Sequence, residues 1–269
     1  MLMKNLNDFC YILHGKCIRA VNQEDYLQLT AINQQRSGRS RALLLLHGFA
    51  SSPAVFMPLS EIFSRYDAVV APLLPGHLAS LADFTTATAN EWVQSAEHAC
   101  AELVRQYAQV DVLGFSLGGV LASHISQIFP IHHLFLLAPA FTLKFNLRLA
   151  IAGAYVLRCL GVRTLRNRGG DIMSHEHAEL TYRKLPLSTI LEVLNLIRSS
   201  ALMTPACATD LFLGRHDHVV NSSAIAKQCD GMHNMHLHWL ENSAHVLPLD
   251  NDVQSIIRII QLRLTQDLT

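Results

Sequence analysis

The stretch Val110-Asp111-Val112-Leu113-Gly114-Phe115-Ser116-Leu117-Gly118-Gly119-Val120-Leu121-Ala122 decides the fold. Residues 110–113 form a short, mainly apolar run suited to a buried strand, and a glycine stops it. From Leu117 the pattern is helical as far as Phe129, where Pro130 ends it. Between the two lies Gly114-Phe-Ser116-Leu-Gly118, a G-x-S-x-G pattern. A turn this sharp forces the serine into a strained backbone conformation, and side chains two positions to either side would collide, so both are glycine. The setting of strand, turn and helix is that of a nucleophile elbow, which lifts the serine hydroxyl to the tip of a sheet. The alternative is a serine that merely caps an ordinary helix; the strand in front of it favours the elbow.

Similar short apolar runs flank this unit. Residues 42–46 end at His47-Gly48, 69–71 at Pro72, 133–137 shortly before Pro139 and 211–213 at Gly214; 235–240 is the last. Helical patterns separate them. Thr88 and Glu91 have the spacing of a capping box, followed by Trp92, Ala96, Ala99 and Leu103 on one face. A short helix is expected over 59–65. Val253, Ile256, Ile257, Ile260 and Leu264 make one stripe of an amphipathic helix near the C-terminus. Strand alternating with helix predicts a mostly parallel sheet covered on both faces. Residues 9–40 read as two strands and a polar connection, with a loop over 34–41. Residues 141–204 break the alternation: no strand is evident there, and helical stretches over 143–161 and 185–197 carry Leu147, Ile151, Val156, Leu187, Leu191 and Leu194, which need a surface to bury against.

Composition narrows the function. The 269 residues are 50% hydrophobic and 16% charged, which excludes a disordered chain. Lys+Arg and Asp+Glu are both 21, so there is no basic surplus for nucleic acid. Mean hydropathy is +0.23, yet no apolar stretch approaches the ~20 residues of a membrane span. The N-terminus lacks the sustained apolar run of a secretory signal, so a cytoplasmic protein is expected. The six cysteines are scattered without a C-x-x-C pair, as expected of reduced, buried thiols.

A serine hydroxyl needs a base to take its proton, and a histidine oriented by a carboxylate supplies one. With 15 histidines in the chain, position must choose. The expected order after this elbow is acid, then histidine. Asp217 follows the strand ending at Gly214, and His245 follows the strand ending at Leu240. Loops after parallel strands emerge at one edge, so Ser116, Asp217 and His245 converge there. Asp217 could instead make only an Asx-turn. Asp210 precedes its strand and belongs at the other edge; Asp250 lies too close behind His245. The oxyanion of a tetrahedral intermediate needs donors. The backbone amides of Leu117 and Phe49 are the candidates, the latter in the loop His47-Gly48-Phe49. His47 is read as structural. His216 and His218 flank the acid and are not its base. His233, His236 and His238, and His175 with His177, lack the spacing of a zinc site. No metal is expected, and no cofactor, since no nucleotide-binding glycine motif occurs.

These residues resemble the α/β-hydrolase family, and within it the bacterial carboxylesterases and monoacylglycerol lipases. The matching segments are 43–49 (Leu-Leu-Leu-Leu-His-Gly-Phe), 71–77 (Ala-Pro-Leu-Leu-Pro-Gly-His), 114–119, Gly214-Arg-His-Asp217 and Ser243-Ala-His-Val246. The resemblance implies Ser116 as nucleophile, Asp217 as acid, His245 as base, and Phe49 and Leu117 as oxyanion donors. It implies one α/β-hydrolase domain over 1–269 with a helical lid at 141–204. The expected activity is a serine carboxylesterase acting on short- to medium-chain acyl esters, monoacylglycerols among them. A thioesterase, an acyltransferase or a peptidase would use the same triad, and a non-catalytic binding protein could share the fold. The expected partner is a small acyl ester, with a transient membrane-surface contact if Arg148, Arg158 and Arg163 face lipid headgroups rather than plain solvent. The chain departs from the family at Gly76-His77-Leu78, where Gly-His-Gly is common. Residues 1–40 match nothing, beyond strands that could extend the sheet.

Overall fold

The computed structural model describes residues 6–27, 31–200, 202 and 204–266. Its strands are β1 (Phe9–Leu13), β2 (Lys16–Ala20), β3 (Ile32–Gln35), β4 (Arg41–Leu46), β5 (Ala68–Ala71), β6 (Gln109–Phe115), β7 (His133–Leu137), β8 (Thr164–Arg166), β9 (Glu179–Tyr182), β10 (Lys184–Pro186), β11 (Ala208–Gly214) and β12 (Met235–Leu240). The helices are α1 (Gln23–Leu27), α2 (Leu81–Thr86), α3 (Ala89–Gln106), α4 (Leu117–Ile125), α5 (Leu147–Cys159), α6 (Leu187–Ser199), α7 (Ser222–Gln228) and α8 (Val253–Gln266).

Seven strands form the central sheet in the order β12-β11-β7-β6-β4-β5-β3. All neighbours are parallel except β3, which runs antiparallel to β5 at one edge. This is the α/β-hydrolase fold. The six leucine-rich residues of β4 are all buried, as a strand covered on both faces requires. β3 takes Gln34 and Gln35 into the sheet, so the polar loop expected over 34–41 begins two residues later. The capping box of α3 forms, with Thr88 accepting from the Glu91 amide. Its buried face is Trp92, Ala96, Cys100 and Leu103; Ala99 is only partly buried. α8 buries Ile256, Ile257, Ile260 and Leu264 and packs on a run of 3-10 turns, Pro53–Arg65, where a short helix was expected over 59–65.

Two expectations fail for physical reasons. Residues 141–204 do contain strands. β8 pairs with β10, and β9 pairs antiparallel with β1 in a small sheet ordered β2-β1-β9. β9 reads Glu-Leu-Thr-Tyr and is buried throughout, so it shows no alternation, and its partner lies far away in sequence. Of the strands within residues 1–40, β3 extends the central sheet at its edge, while the hairpin β1-β2 does not and instead braces this segment. Val156 is the second case: it is 58% exposed, while Ile151 and Ala154 form the buried side of α5. The described part of α4 ends at Ile125 rather than Phe129, because a series of turns precedes Pro130.

Candidate active site

Parallel strands deliver their C-terminal ends to one edge, and there the structure gathers the predicted residues. Ser116 follows β6 directly, at φ 53° and ψ −113°. A residue with a Cβ meets a steric penalty there of order 1–3 kcal/mol. The neighbours enforce it. A Cβ on Gly118 would overlap the Leu46 carbonyl of β4, and one on Gly114 would overlap the Gly118 carbonyl. The Ser116 amide donates to Leu137 O at 3.0 Å, and the Ala140 amide donates to Ser116 O at 3.1 Å. The elbow is thus clamped between β4 and β7.

His245 lies in the loop after β12, 6% exposed. Its Nε2 is 2.9 Å from Ser116 Oγ, and its Nδ1 is 2.8 Å from Asp217 Oδ2. Both reaches of a relay are made at hydrogen-bond distance. Asp217 makes its Asx-turn as well. Its Oδ1 accepts from the amides of Val219 (2.7 Å) and Val220 (2.8 Å), which leaves Oδ2 for the imidazole. The ordering turn and the functional contact use different oxygens of one carboxylate.

Asp250, the other carboxylate near His245, is consumed by backbone. It accepts from the amides of Met173, Ser174, Ala244 and Asn251, so it shapes the loop that carries the histidine. His216 and His218 stay out of the relay; His218 Nδ1 meets Asp171 Oδ1 at 2.8 Å. Asp210 lies near the start of β11, at the opposite edge.

The loop after β4 holds Phe49 against the elbow. A Cβ on Gly48 would lie 3.0 Å from the Phe115 ring and 3.3 Å from Ser116 Cβ, tighter than ordinary contact, so glycine lets the loop approach without displacing its neighbours. His47 fixes the loop. The Leu74 amide donates to its Nε2 at 3.1 Å, so Nδ1 bears the proton and donates to Gly48 O at 2.9 Å. Burial holds the His47 pKa down to about 4, outweighing the Gly48 carbonyl, which suits this neutral structural role. No hydrogen bond among the described residues takes up the amide of Phe49 or of Leu117. His77 packs on His47 with ring centroids 4.9 Å apart, beside Phe84 and Trp92. The next residue, Leu78, has φ 47°, the conformation a glycine takes freely. The chain keeps the turn with leucine there and buries the side chain.

Three contributors were not legible beforehand, all from 167–182. The Asp171 carbonyl accepts from the amides of both His245 and Val246 at 3.0 Å. Thr181 Oγ1 donates to Ala50 O at 2.7 Å, bracing the turn after Phe49. Glu179 is 9% exposed and accepts from the Gly170 amide at 2.9 Å. Burial pushes its pKa up, and nearby Asp171 adds to that, against the opposing pull of the Gly170 amide and His245. Burial alone would lower the pKa of His245, but Asp217, Asp171 and Glu179 outweigh it and raise it. An open cleft of about 1110 Å³ runs alongside, lined by Ser51, Ser52, Glu176, Glu179 and Asp250 among others, with no Lys or Arg. Among the described residues no group of His, Cys, Asp and Glu is arranged to hold a metal ion, and no helix is long and apolar enough to cross a membrane.

Known proteins are similar to this chain in sequence and in fold. A thermostable monoacylglycerol lipase of Bacillus sp. (strain H-257) is 28% identical over 221 residues, 80% of this chain and 86% of that protein. A solved structure from a study of LipS and LipT, two metagenome-derived lipolytic enzymes, superposes with a TM-score of 0.78 at 24% identity, covering 88% of this chain and 98% of that one. The monoacylglycerol lipase of Paleococcus ferrophilus superposes with a TM-score of 0.69 at 15% identity, covering 88% of this chain and 98% of that one. The model of the alpha/beta hydrolase family matches residues 43–256, from β4 through the loop that carries His245 into α8, and the chain belongs to that family.

Proposed function

We propose that this protein is a serine carboxylic ester hydrolase acting through Ser116, His245 and Asp217. The observation that carries the reading is the unbroken contact from Ser116 Oγ through the His245 ring to Asp217, on a serine held at a strained φ. His245 Nε2 takes the Ser116 proton as Oγ attacks the ester carbonyl carbon. The carbonyl π bond opens onto oxygen, and the amides of Leu117 and Phe49 donate to that oxyanion. Collapse breaks the bond to the alcohol oxygen, which leaves with the proton from His245. Water repeats the sequence on the acyl-enzyme and releases the acid. Asp217 holds the ring, through Nδ1, in the tautomer that accepts at Nε2.

Monoacylglycerols are the ester class we favour within a short- to medium-chain range. The similarity to monoacylglycerol lipases supports this, and so does Glu179. A glycerol leaving group brings free hydroxyls, and Glu179 is a buried acceptor close enough to His245 to affect its basicity. Residues 141–204 act as the cap over the acyl site, bound to the core through β9 and Thr181. The test is hydrolysis of monoacylglycerols and p-nitrophenyl esters from acetate to decanoate, with a fluorophosphonate probe labelling Ser116. Ser116→Ala should abolish labelling and turnover; labelling of another serine would overturn the assignment. Glu179→Gln should raise KM for monoacylglycerol several-fold while leaving p-nitrophenyl ester KM near wild type. Equal effects on both substrates would remove the glycerol role.

A further inference from the structure

Asp217 and His245 sit on separate loops, after β11 and β12, and one residue of the 167–182 segment grips both. The Asp171 carbonyl takes the amides of His245 and Val246. Its carboxylate takes the other loop at two points: Oδ2 accepts from the His218 amide, and Oδ1 meets the His218 ring at Nδ1, each at 2.8 Å. A carboxylate only accepts, so Nδ1 bears a proton and donates. His218 directly follows Asp217, so the grip falls beside the proposed acid. Asp171 is itself firmly placed. Gly170 before it has φ 71°, a Cβ there would overlap the Ile12 carbonyl, and the His14 amide donates to Gly170 O at 2.8 Å. The Gly170 amide is the one that Glu179 accepts. The N-terminal hairpin and β9 thus fix the residue that spans the two loops.

The His218 side chain is 73% exposed, and a pair this open contributes little to stability on its own. Its effect is one of orientation. With both oxygens engaged, the carboxylate cannot turn without breaking a bond to the acid loop, and the carbonyl of the same residue carries the base loop. Without the ring, a single amide holds the carboxylate. Charge adds a second effect. Asp217, Asp171 and Glu179 raise the His245 pKa, while Asp250 beside them is taken up by backbone amides. His218 faces Asp171; His216 and Asp217 precede it on its own loop, and Lys144 lies on the segment whose amide donates to Val219 O. Histidine is the side chain that gains charge near neutral pH. A proton on His218 offsets part of the Asp171 charge and so opposes the rise at His245.

We propose that His218 is a positioning residue of the triad: through Asp171 it fixes the acid loop against the base loop, and its ring, when protonated, offsets the Asp171 charge. The inference deepens the proposed ester hydrolysis and rests on it, because it concerns how Asp217 and His245 are held. Two variants separate grip from charge. Asn places its amide nitrogen where the imidazole has Nδ1, so His218→Asn keeps the donor and removes the titrating ring. His218→Ala removes both. The ring lies at the surface, so both variants should keep the wild-type melting temperature.

The experiment is a pH–rate profile of the full chain on a soluble p-nitrophenyl ester, beside an NMR titration of the His245 ring in Ser116→Ala. Misplacing a catalytic group by about 1 Å costs ~10² in rate. His218→Ala loosens the loops rather than moving them, so kcat at the pH optimum should fall about tenfold with KM unchanged. His218→Asn should restore kcat to near wild type. In both variants the acid limb of kcat/KM should move to higher pH by up to about half a unit. Adding His218→Asn to Ser116→Ala should move the His245 titration in the same direction. That titration needs no turnover, so it still reports on His218 if the ester-hydrolase reading fails. A titration and an acid limb that stay unmoved in His218→Asn would overturn the proposal. So would a loss of kcat in His218→Ala that His218→Asn does not restore, or an effect confined to KM, which would make His218 a substrate contact.

Discussion

Ser116 sits at a positive φ, and neighbouring backbone packs so closely that a side chain at Gly114 or Gly118 would overlap it. That strain is tolerable because β4, β7 and α4 hold the turn from three sides, so replacing the hydroxyl need not disturb the elbow. Ser116→Ala should therefore keep the wild-type melting temperature while turnover falls roughly 10⁶-fold, as for a triad nucleophile. A melting shift of many degrees would show that the hydroxyl is structural. The pH dependence follows from His245. As the proposed base it works only when neutral, and its pKa is raised above the ordinary 6.5 because Asp217, Asp171 and Glu179 outweigh burial. The rate should thus fall as pH drops through a value above 6.5. Asp171→Asn removes one of those charges and should move the acid limb of kcat/KM to lower pH, which a pH–rate profile reads directly. An unmoved limb would show that Asp171 acts only through its carbonyl.

Among the elements, β9 joins the N-terminal hairpin to the turn after Phe49, the proposed oxyanion turn. Thr181 donates to Ala50 O and itself accepts from Asn167 Nδ2 at 3.0 Å, and the neighbouring Tyr182 donates to Gly76 O and stacks on Phe84. Thr181→Val keeps the shape and removes the hydroxyl. Losing one oxyanion donor outright costs about 10²–10³ in kcat. Loosening the turn that carries one should lower kcat by roughly tenfold with little change in KM, and Thr181→Ser should restore it. A change confined to KM would place Thr181 in substrate binding instead. This element also marks where the sequence stops being readable. The central strands announce themselves, because a run such as Leu43–Leu46 followed by His-Gly has one plausible role, and the loops that follow them carry Ser116, Asp217 and His245 to one edge by topology alone. β9 gives no such signal. Its burial on both sides removes alternation, and its partner β1 lies near the other end of the chain, a pairing no local pattern encodes. Glu179 and Thr181 were hidden for the same reason. Helix α5 was visible as a helix, but the assumption that apolar residues turn inward misplaced Val156.

Across the whole molecule the central sheet separates the proposed chemistry from stability by its two edges. The C-terminal edge holds Ser116, Asp217 and His245. Toward the other edge are two buried carboxylates in networks of their own. Asp111 accepts from Arg41 Nε at 2.7 Å and Tyr66 OH at 2.8 Å; Asp210 meets His133 and His238 and accepts two bonds from Arg263. Adjacent His132 and His133 serve one carboxylate each. These clusters tie β4, β6, β7, β11, β12 and α8 together across the start of the sheet. Asp217→Asn should then lower kcat about 10⁴-fold, because the amide no longer stabilises the imidazolium or selects its tautomer. Asp210→Asn should leave kcat per folded molecule near wild type. It should destabilise the fold by about 3–5 kcal/mol, the loss expected when one partner of a buried pair is removed, or roughly 10 °C in Tm. The pH dependence separates the two further. Burial would raise the pKa of Asp210, but His133, His238 and Arg263 outweigh it and hold it well below its ordinary 3.8. A carboxylate with a depressed folded pKa stabilises the fold at pH above its unfolded value, and that stability is lost as pH falls toward the folded one. Wild type should therefore lose stability steeply in acid below about pH 4, and Asp210→Asn should lose less over the same window. If Asp210→Asn instead lost activity while keeping its Tm, the division of labour between the two edges of the sheet would be wrong.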